Sequence, residues 1–148
     1  MKKAVNEVKC KFTAISENES FARSLAVTFA SQASPTVTQL ADIKCAVSEA
    51  VTNCIVHAYR DMGGVVEMVM KRYEDNEIIL TVKDKGVGIA DIEAAREPLF
   101  TTDTTGERSG MGFSIMENMM DSLKIKSAPG KGTSVTMKIK VGTDKGDT

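Results

Sequence analysis

Glu77-Ile78-Ile79-Leu80-Thr81-Val82-Lys83-Asp84-Lys85-Gly86-Val87-Gly88 reads as a strand that runs into a glycine loop. Ile78, Leu80 and Val82 recur every second residue, the period of a half-buried strand. Asp84 shares their parity, so its carboxylate points to the apolar side, where a buried charge needs hydrogen-bond donors. The exocyclic amine of adenine is one candidate donor. The plainer alternative is an Asp-x-Gly turn that ends the strand. Gly86 and Gly88, on either side of Val87, permit close approach of the backbone to a flat ring.

Working outward, residues 65–73 form the preceding strand, joined through the turn Glu74-Asp75-Asn76. Residues 5–14 alternate, with Val8, Cys10, Phe12 and Ala14 on one face. Ser16-Glu17-Asn18-Glu19 matches a capping box, and Phe21, Leu25 and Phe29 repeat along the helix it opens, which Ser34-Pro35 stops. A second helix runs from about Thr38 to Tyr59, with an apolar stripe that includes Leu40, Ile43, Val47, Val51 and Cys54. Downstream, Asp91–Arg96 reads as a short helix and residues 101–110 as a polar loop of the kind that carries function. A helix from Gly112 to Ser122 places Ile115, Met119 and Leu123 on one side. A final hairpin turns at Pro129-Gly130-Lys131-Gly132. These elements predict an α/β (α+β) two-layer sandwich, one sheet covered by helices on one face. The expected layout is a single domain over residues 1–141 and a polar tail over 142–148.

The chain has 148 residues, 42% hydrophobic and 26% charged, with a net charge of −1. That is an ordinary globular composition, with no global basic field to recruit nucleic acid. Cys10, Cys45 and Cys54 lack metal-ligand spacing, and an odd count without a signal peptide fits a reducing cytoplasm. Cys45 and Cys54 read as small buried hydrophobes. No apolar run approaches the roughly 18 residues that span a bilayer. A lone histidine argues against a His-rich metal site.

Glu49, Asn53 and His57 are spaced i, i+4, i+8 and fall within about 80° of one another on a helix, away from most of the apolar stripe. Such a face is either solvated or chemical. In the chemical reading, the Asn53 carbonyl is a neutral oxygen ligand for Mg²⁺, and the Glu49 carboxylate orients or deprotonates an attacking hydroxyl. Gly110 and Gly112 open a helix whose free amides suit an anion, or they form a flexible joint. Arg108, in the adjoining loop, reaches a γ-phosphate on closure or stays solvated. Thr133 hydrogen-bonds a purine directly or through water, or is simply a strand threonine. Neither a P-loop nor a dinucleotide-binding fingerprint is present.

Taken together, these motifs resemble the GHKL ATPase/kinase superfamily. Glu49…Asn53…His57 is similar to its N box and Asp84-Lys85-Gly86-Val87-Gly88 to its G1 box. Ser109-Gly110-Met111-Gly112-Phe113 is similar to its G2 box, and Gly132-Thr133 to its last element. The resemblance implies the Bergerat ATP-binding fold, with a mixed sheet backed by helices. Segments 16–23, 98–102 and 107–121 narrow it to the anti-sigma-factor serine kinases, the sporulation branch above all. Such a protein is a homodimer that sequesters a sigma factor when ATP-bound. It also phosphorylates a serine of an anti-anti-sigma antagonist.

The resemblance makes Glu49 the general base and Asn53 the Mg²⁺ holder. Asp84 becomes the adenine reader, with Gly86 and Gly88 shaping that wall, and Gly110 and Gly112 the phosphate cradle. Arg23 becomes a contact for both protein partners. Ala58 departs from the glycine common in relatives and tightens the space near the nucleotide. Direct nucleic-acid and membrane binding are not expected. Three alternatives remain. A detached histidine-kinase domain would lack its phosphoacceptor hairpin, and a nucleotide-gated binding module would have no use for Glu49. A general-stress anti-sigma kinase would differ mainly in its sigma factor.

Overall fold

The computed structural model describes residues 3–59, 63–88 and 112–142. The expected helix at Asp91–Arg96, the loop at 101–110 and the tail from residue 143 lie outside these residues, as do Arg108 and Gly110. Strand β1 (Ala4–Thr13) leads into helix α1 (Glu17–Ala30), then α2 (Val37–Thr52) and a π-helical segment (Asn53–Ala58). Strands β2 (Val65–Tyr73) and β3 (Glu77–Lys83) follow, then helix α3 (Gly112–Met119) and the hairpin β4 (Ser122–Ala128) and β5 (Gly132–Lys140). No helix among the described residues is long and apolar enough to cross a membrane.

Among the described residues the sheet order is β1-β2-β3-β5-β4, and all four ladders are antiparallel. This corrects the mixed sheet implied by the resemblance. β3 and β4 do run in the same direction, but the hairpin folds back and inserts β5 between them, so no parallel ladder forms.

Period-two alternation sends Val66, Met68 and Met70 of β2, Ile78, Leu80 and Val82 of β3, and Val135, Met137 and Ile139 of β5 to the same side, all buried. They meet across the strands: Leu80 lies between Met70 and Met137, and Val82 between Met68 and Val135. Helix α2 covers this face with Ile43, Ala46, Val47, Ala50 and Val51, all buried, and packs against both α1 and α3. Burying each large side chain contributes about 1.5–3 kcal/mol. The expectation of helices on one face of one sheet is met.

Three local expectations shift. Helix α1 buries Ala22, Ala26, Phe29 and Ala30, whereas Phe21 is 47% exposed and lies edge-on against Phe12 of β1, with ring centroids 5.9 Å apart. Small alanines let α1 approach α2 closely, and the larger ring is displaced to the rim. Helix α3 ends at Met119, so Leu123 belongs to β4 rather than to a helical stripe.

The capping box also moves. Ser16 has helical dihedrals and makes no side-chain cap bond. The box forms instead at α2, where Thr36 Oγ1 accepts from Gln39 N (3.1 Å) and Gln39 Oε1 accepts from Thr36 N (2.8 Å). Gln39 Oε1 also accepts from Gly142 N (3.0 Å), so the cap ties the end of β5 to the start of α2. Replacing Thr36 with alanine is expected to lower the unfolding free energy by about 1 kcal/mol, read from the urea midpoint at unchanged slope. An unchanged midpoint would show that the cap is redundant.

Candidate functional site

Regular α-helix gives way to π geometry at Asn53. The segment Asn53–Ala58 closes with Tyr59 N donating to Cys54 O (3.0 Å), an i→i−5 bond. A π turn holds more residues than an α turn, so the chain advances less around the axis per residue, and such bulges recur at functional sites. The continuous helix expected from Thr38 to Tyr59 is thus two geometries, joined where the N-box motif sits. Glu49, on the last regular turn of α2, and Asn53, first in the π segment, are both half-buried rather than on a solvated face.

The end of the π segment clamps the loop after β3. Val87 N donates to Ala58 O (3.0 Å). Tyr59 Oη accepts from Lys85 N (2.7 Å) and donates to Val65 O (2.7 Å), bridging the loop to the start of β2. A Cβ at Gly86 would collide with the Ala58 carbonyl and lie 2.7 Å from its methyl. Gly88, at φ +78°, presses against the Ala128 carbonyl of the β4–β5 turn, and Gly130 N donates to Val87 O (2.7 Å). The close approach read from these glycines is therefore to protein backbone. Ala58 tightens the packing under the loop.

Asp84 is 9% exposed, and its side chain is on the apolar side, as parity requires. Its Oδ1 accepts from Gly86 N (2.9 Å) and from Thr133 N (3.1 Å), and the Cys54 thiol donates to the same carboxylate. Backbone bonds in both directions, Asp84 N to Thr133 O (2.9 Å) and Thr133 N to Asp84 O (3.3 Å), lock β3 to β5 at this point. A carboxylate has roughly four acceptor positions. Among the described residues three are met by these donors, which leaves about one beyond them for a ligand amine. Burial pushes the Asp84 carboxyl above its ordinary value, and the three donors pull against that. Burial and the neighbouring carboxylate push the Cys54 thiol well above the usual range.

Asp84, Gly86 and Thr133 thus converge beside Cys54. Thr133 contributes through its backbone, while its hydroxyl pairs with Ser127 Oγ (2.8 Å). Gly112 is the first residue of α3, which packs on α2. Arg23 lies elsewhere, on the α1–α2 seam, its Nη1 donating to Ser48 Oγ (3.3 Å) one residue before Glu49. Cys54 and Tyr59 were not legible as site residues, because a buried thiol on an apolar stripe and a tyrosine at a helix end carry no sequence signal. Cys45 is only half-buried, unlike Cys54.

A raised carboxyl pKa means that the folded protein binds this proton more tightly than the unfolded chain. Its contribution to stability is full below the ordinary aspartate range and is lost as pH rises through the raised value. Asp84→Asn keeps the Oδ1 acceptor without the charge. It is expected to leave the ligand-free protein at least as stable as the parent at neutral pH, with the difference shrinking on acidification. Denaturation midpoints at a series of pH values check this. A variant destabilised at every pH would contradict it.

Residues 12–139 match the family described as Histidine kinase-like ATPase domain. Among relatives, the chain is 49% identical over 140 residues to the Anti-sigma F factor of Caldanaerobacter subterraneus, covering 95% of this chain and 97% of that one. It is 51% identical over 135 residues to that of Clostridium acetobutylicum (91% and 94%) and 51% over 130 to that of Bacillus licheniformis (88% and 89%). A crystal structure of the RsbU and RsbW domains of a Mycobacterium tuberculosis protein shares the fold, with a TM-score of 0.69 at 18% identity over 95% of this chain and 34% of that one. The chain belongs to the histidine kinase-like ATPase family, an ATP-binding domain family, and within it to the anti-sigma F factors.

Proposed function

We propose that this protein is an ATP-dependent protein-serine kinase that also sequesters a sporulation sigma factor, working as a cytoplasmic homodimer. The observation that carries the reading is the Asp84 carboxylate. It is buried, has three donors among the described residues and keeps about one acceptor position beyond them, which suits the adenine exocyclic amine. Gly86 and Gly88 shape the same wall through the loop they fold. The relatives' name, anti-sigma F factor, supports a sigma factor as partner.

Among the described residues no group of three or more His, Cys, Asp or Glu side chains is placed to hold a metal ion. A Mg²⁺ ion would enter with the nucleotide, and the Asn53 side-chain carbonyl would be its protein oxygen ligand. The ion would neutralise charge on the phosphates. The first-turn amides of α3, from Gly112 onward, suit those phosphates. Arg108 and Gly110, which lie outside the described residues, keep their assignments to the γ-phosphate and the cradle. Thr133 holds Asp84 in place through its amide.

In the transfer step Glu49 takes the proton of the antagonist's serine hydroxyl. That oxygen bonds to the γ-phosphorus as the bond to the bridging oxygen breaks, and ADP leaves. Arg23, half-buried against Ser48 beside Glu49, is the contact for both protein partners.

Incubation with labelled ATP, Mg²⁺ and candidate antagonists tests this directly, with one antagonist serine expected to become labelled. Glu49→Ala is expected to retain ATP binding and lose phosphotransfer by a factor of about 10²–10⁴. Labelling at the parent rate would overturn the general-base assignment, and ATP binding with no phosphotransfer by the parent protein would favour a nucleotide-gated binding module. Arg23→Glu is expected to abolish sigma-factor binding with ATP affinity intact, measured by co-purification and nucleotide titration. Parallel loss of both would indicate misfolding instead.

A further inference from the structure

Among the described residues, helices cover one face of the sheet and none covers the other, where strand register organises the side chains into rows. Lys11, Glu67, Lys83, Ser134 and Lys126 are direct partners, one to the next, across all five strands. Two residues along, Lys9, Val69, Thr81, Thr136 and Lys124 make a second row. A third brings together Glu7, Lys71, Ile79 and Lys138. The three rows hold seven lysines against two glutamates, an excess of five positive charges on a chain whose net charge is −1. The rest of the molecule therefore carries the opposite sign.

The arrangement has a shape as well as a sign. Lys9 and Lys11 stand on one edge strand and Lys124 and Lys126 on the other, about 19 Å apart at the usual strand spacing. Between them in the second row lies an uncharged band of Val69, Thr81 and Thr136, with the two threonine hydroxyls 3.3 Å apart. At the Asp84 end the face hollows into a groove of about 690 Å³, lined by the first row together with Tyr59, Asp84, Lys85, Lys131 and Thr133. An α-helix with its side chains is about 10–12 Å across and fits between the two lysine columns.

We propose that this helix-free face docks an acidic amphipathic helix of a partner protein. The helix sets its carboxylates against the lysine columns and rests a small uncharged edge on the Thr81 and Thr136 row, where Val69 is already buried. A second copy of this chain on the same face would set lysine against lysine. A nucleic acid is disfavoured because the three rows contain no arginine for bidentate phosphate contacts and no aromatic ring for base stacking, and Glu7 and Glu67 face outward among the lysines. The proposal does not rest on the kinase and sigma-binding reading, because none of the residues assigned to ATP or to partner contact in that reading belongs to the three rows, although Asp84 and Thr133 line the groove at one end of the face.

The probe is a fluorescein-labelled helical peptide of glutamate and leucine with an acidic and an apolar face, about 18 residues or five turns long. Titrated with the full chain, it is expected to bind saturably and to shift backbone amides in the three rows. Reversing the outer columns together, Lys9→Glu, Lys11→Glu, Lys124→Glu and Lys126→Glu, is expected to weaken binding by about tenfold or more. The same variant should gain binding to the matching lysine–leucine peptide. An unchanged thermal midpoint and ATP affinity confirm its fold, and the four Lys→Gln changes replace it if the reversal unfolds the chain. Binding that survives charge removal, shifts confined to the helix side, or tighter binding of duplex DNA or phosphatidylglycerol vesicles than of the peptide would each overturn the proposal.

Discussion

The Asp84 carboxylate is the constraint around which the rest of the site is organised. A charge buried beside the core demands donors, and three separate elements supply them: the loop after β3 through Gly86 N, the start of β5 through Thr133 N and the π segment through the Cys54 thiol. Each donor fixes the element that carries it. The loop cannot relax without stranding the carboxylate, and β5 cannot slip along β3 without losing two backbone bonds at the same residue. Because burial raises the carboxyl's proton affinity while those donors lower it, the group sits in a balance that a ligand amine can tip toward the charged form.

The π segment is the second determinant, and it acts through packing. Its last residue, Ala58, fills the space that a side chain at Gly86 would occupy, and its carbonyl takes Val87 N. Tyr59 closes the same loop from the side by holding Lys85 N and Val65 O with one hydroxyl. Helix, loop and strand are therefore mechanically continuous from Glu49 and Asn53 to Asp84. A nucleotide held by both ends would feel a single body.

The sheet divides labour between its faces. Its inner face is a continuous apolar layer under α2, and its outer face is a charged lattice whose order follows from register alone. A slip of one residue in any ladder would exchange the two faces, so the apolar core and the lysine rows are fixed by the same pairing.

The local pattern was enough for much of this. Period-two alternation placed β1, β2, β3 and β5 and turned Asp84 inward, and helical periodicity marked most of the buried face of α2. Motif spacing marked Glu49, Asn53, Asp84 and Gly112 as candidate site residues, because such spacing is a property of the local chain. Tertiary structure decided the remainder. The insertion of β5 between β3 and β4 makes the sheet antiparallel, and no local signal encodes which strands become neighbours. Close packing of α1 on α2 chose alanines over Phe21 for the buried face. The capping box formed at Thr36 rather than Ser16, where the chain entered the helix with helical dihedrals already set. Cys54 and Tyr59 joined the site only because a π turn and a strand end met there. Such contacts depend on residues distant in sequence, and their energies arise only once the chain has closed on itself.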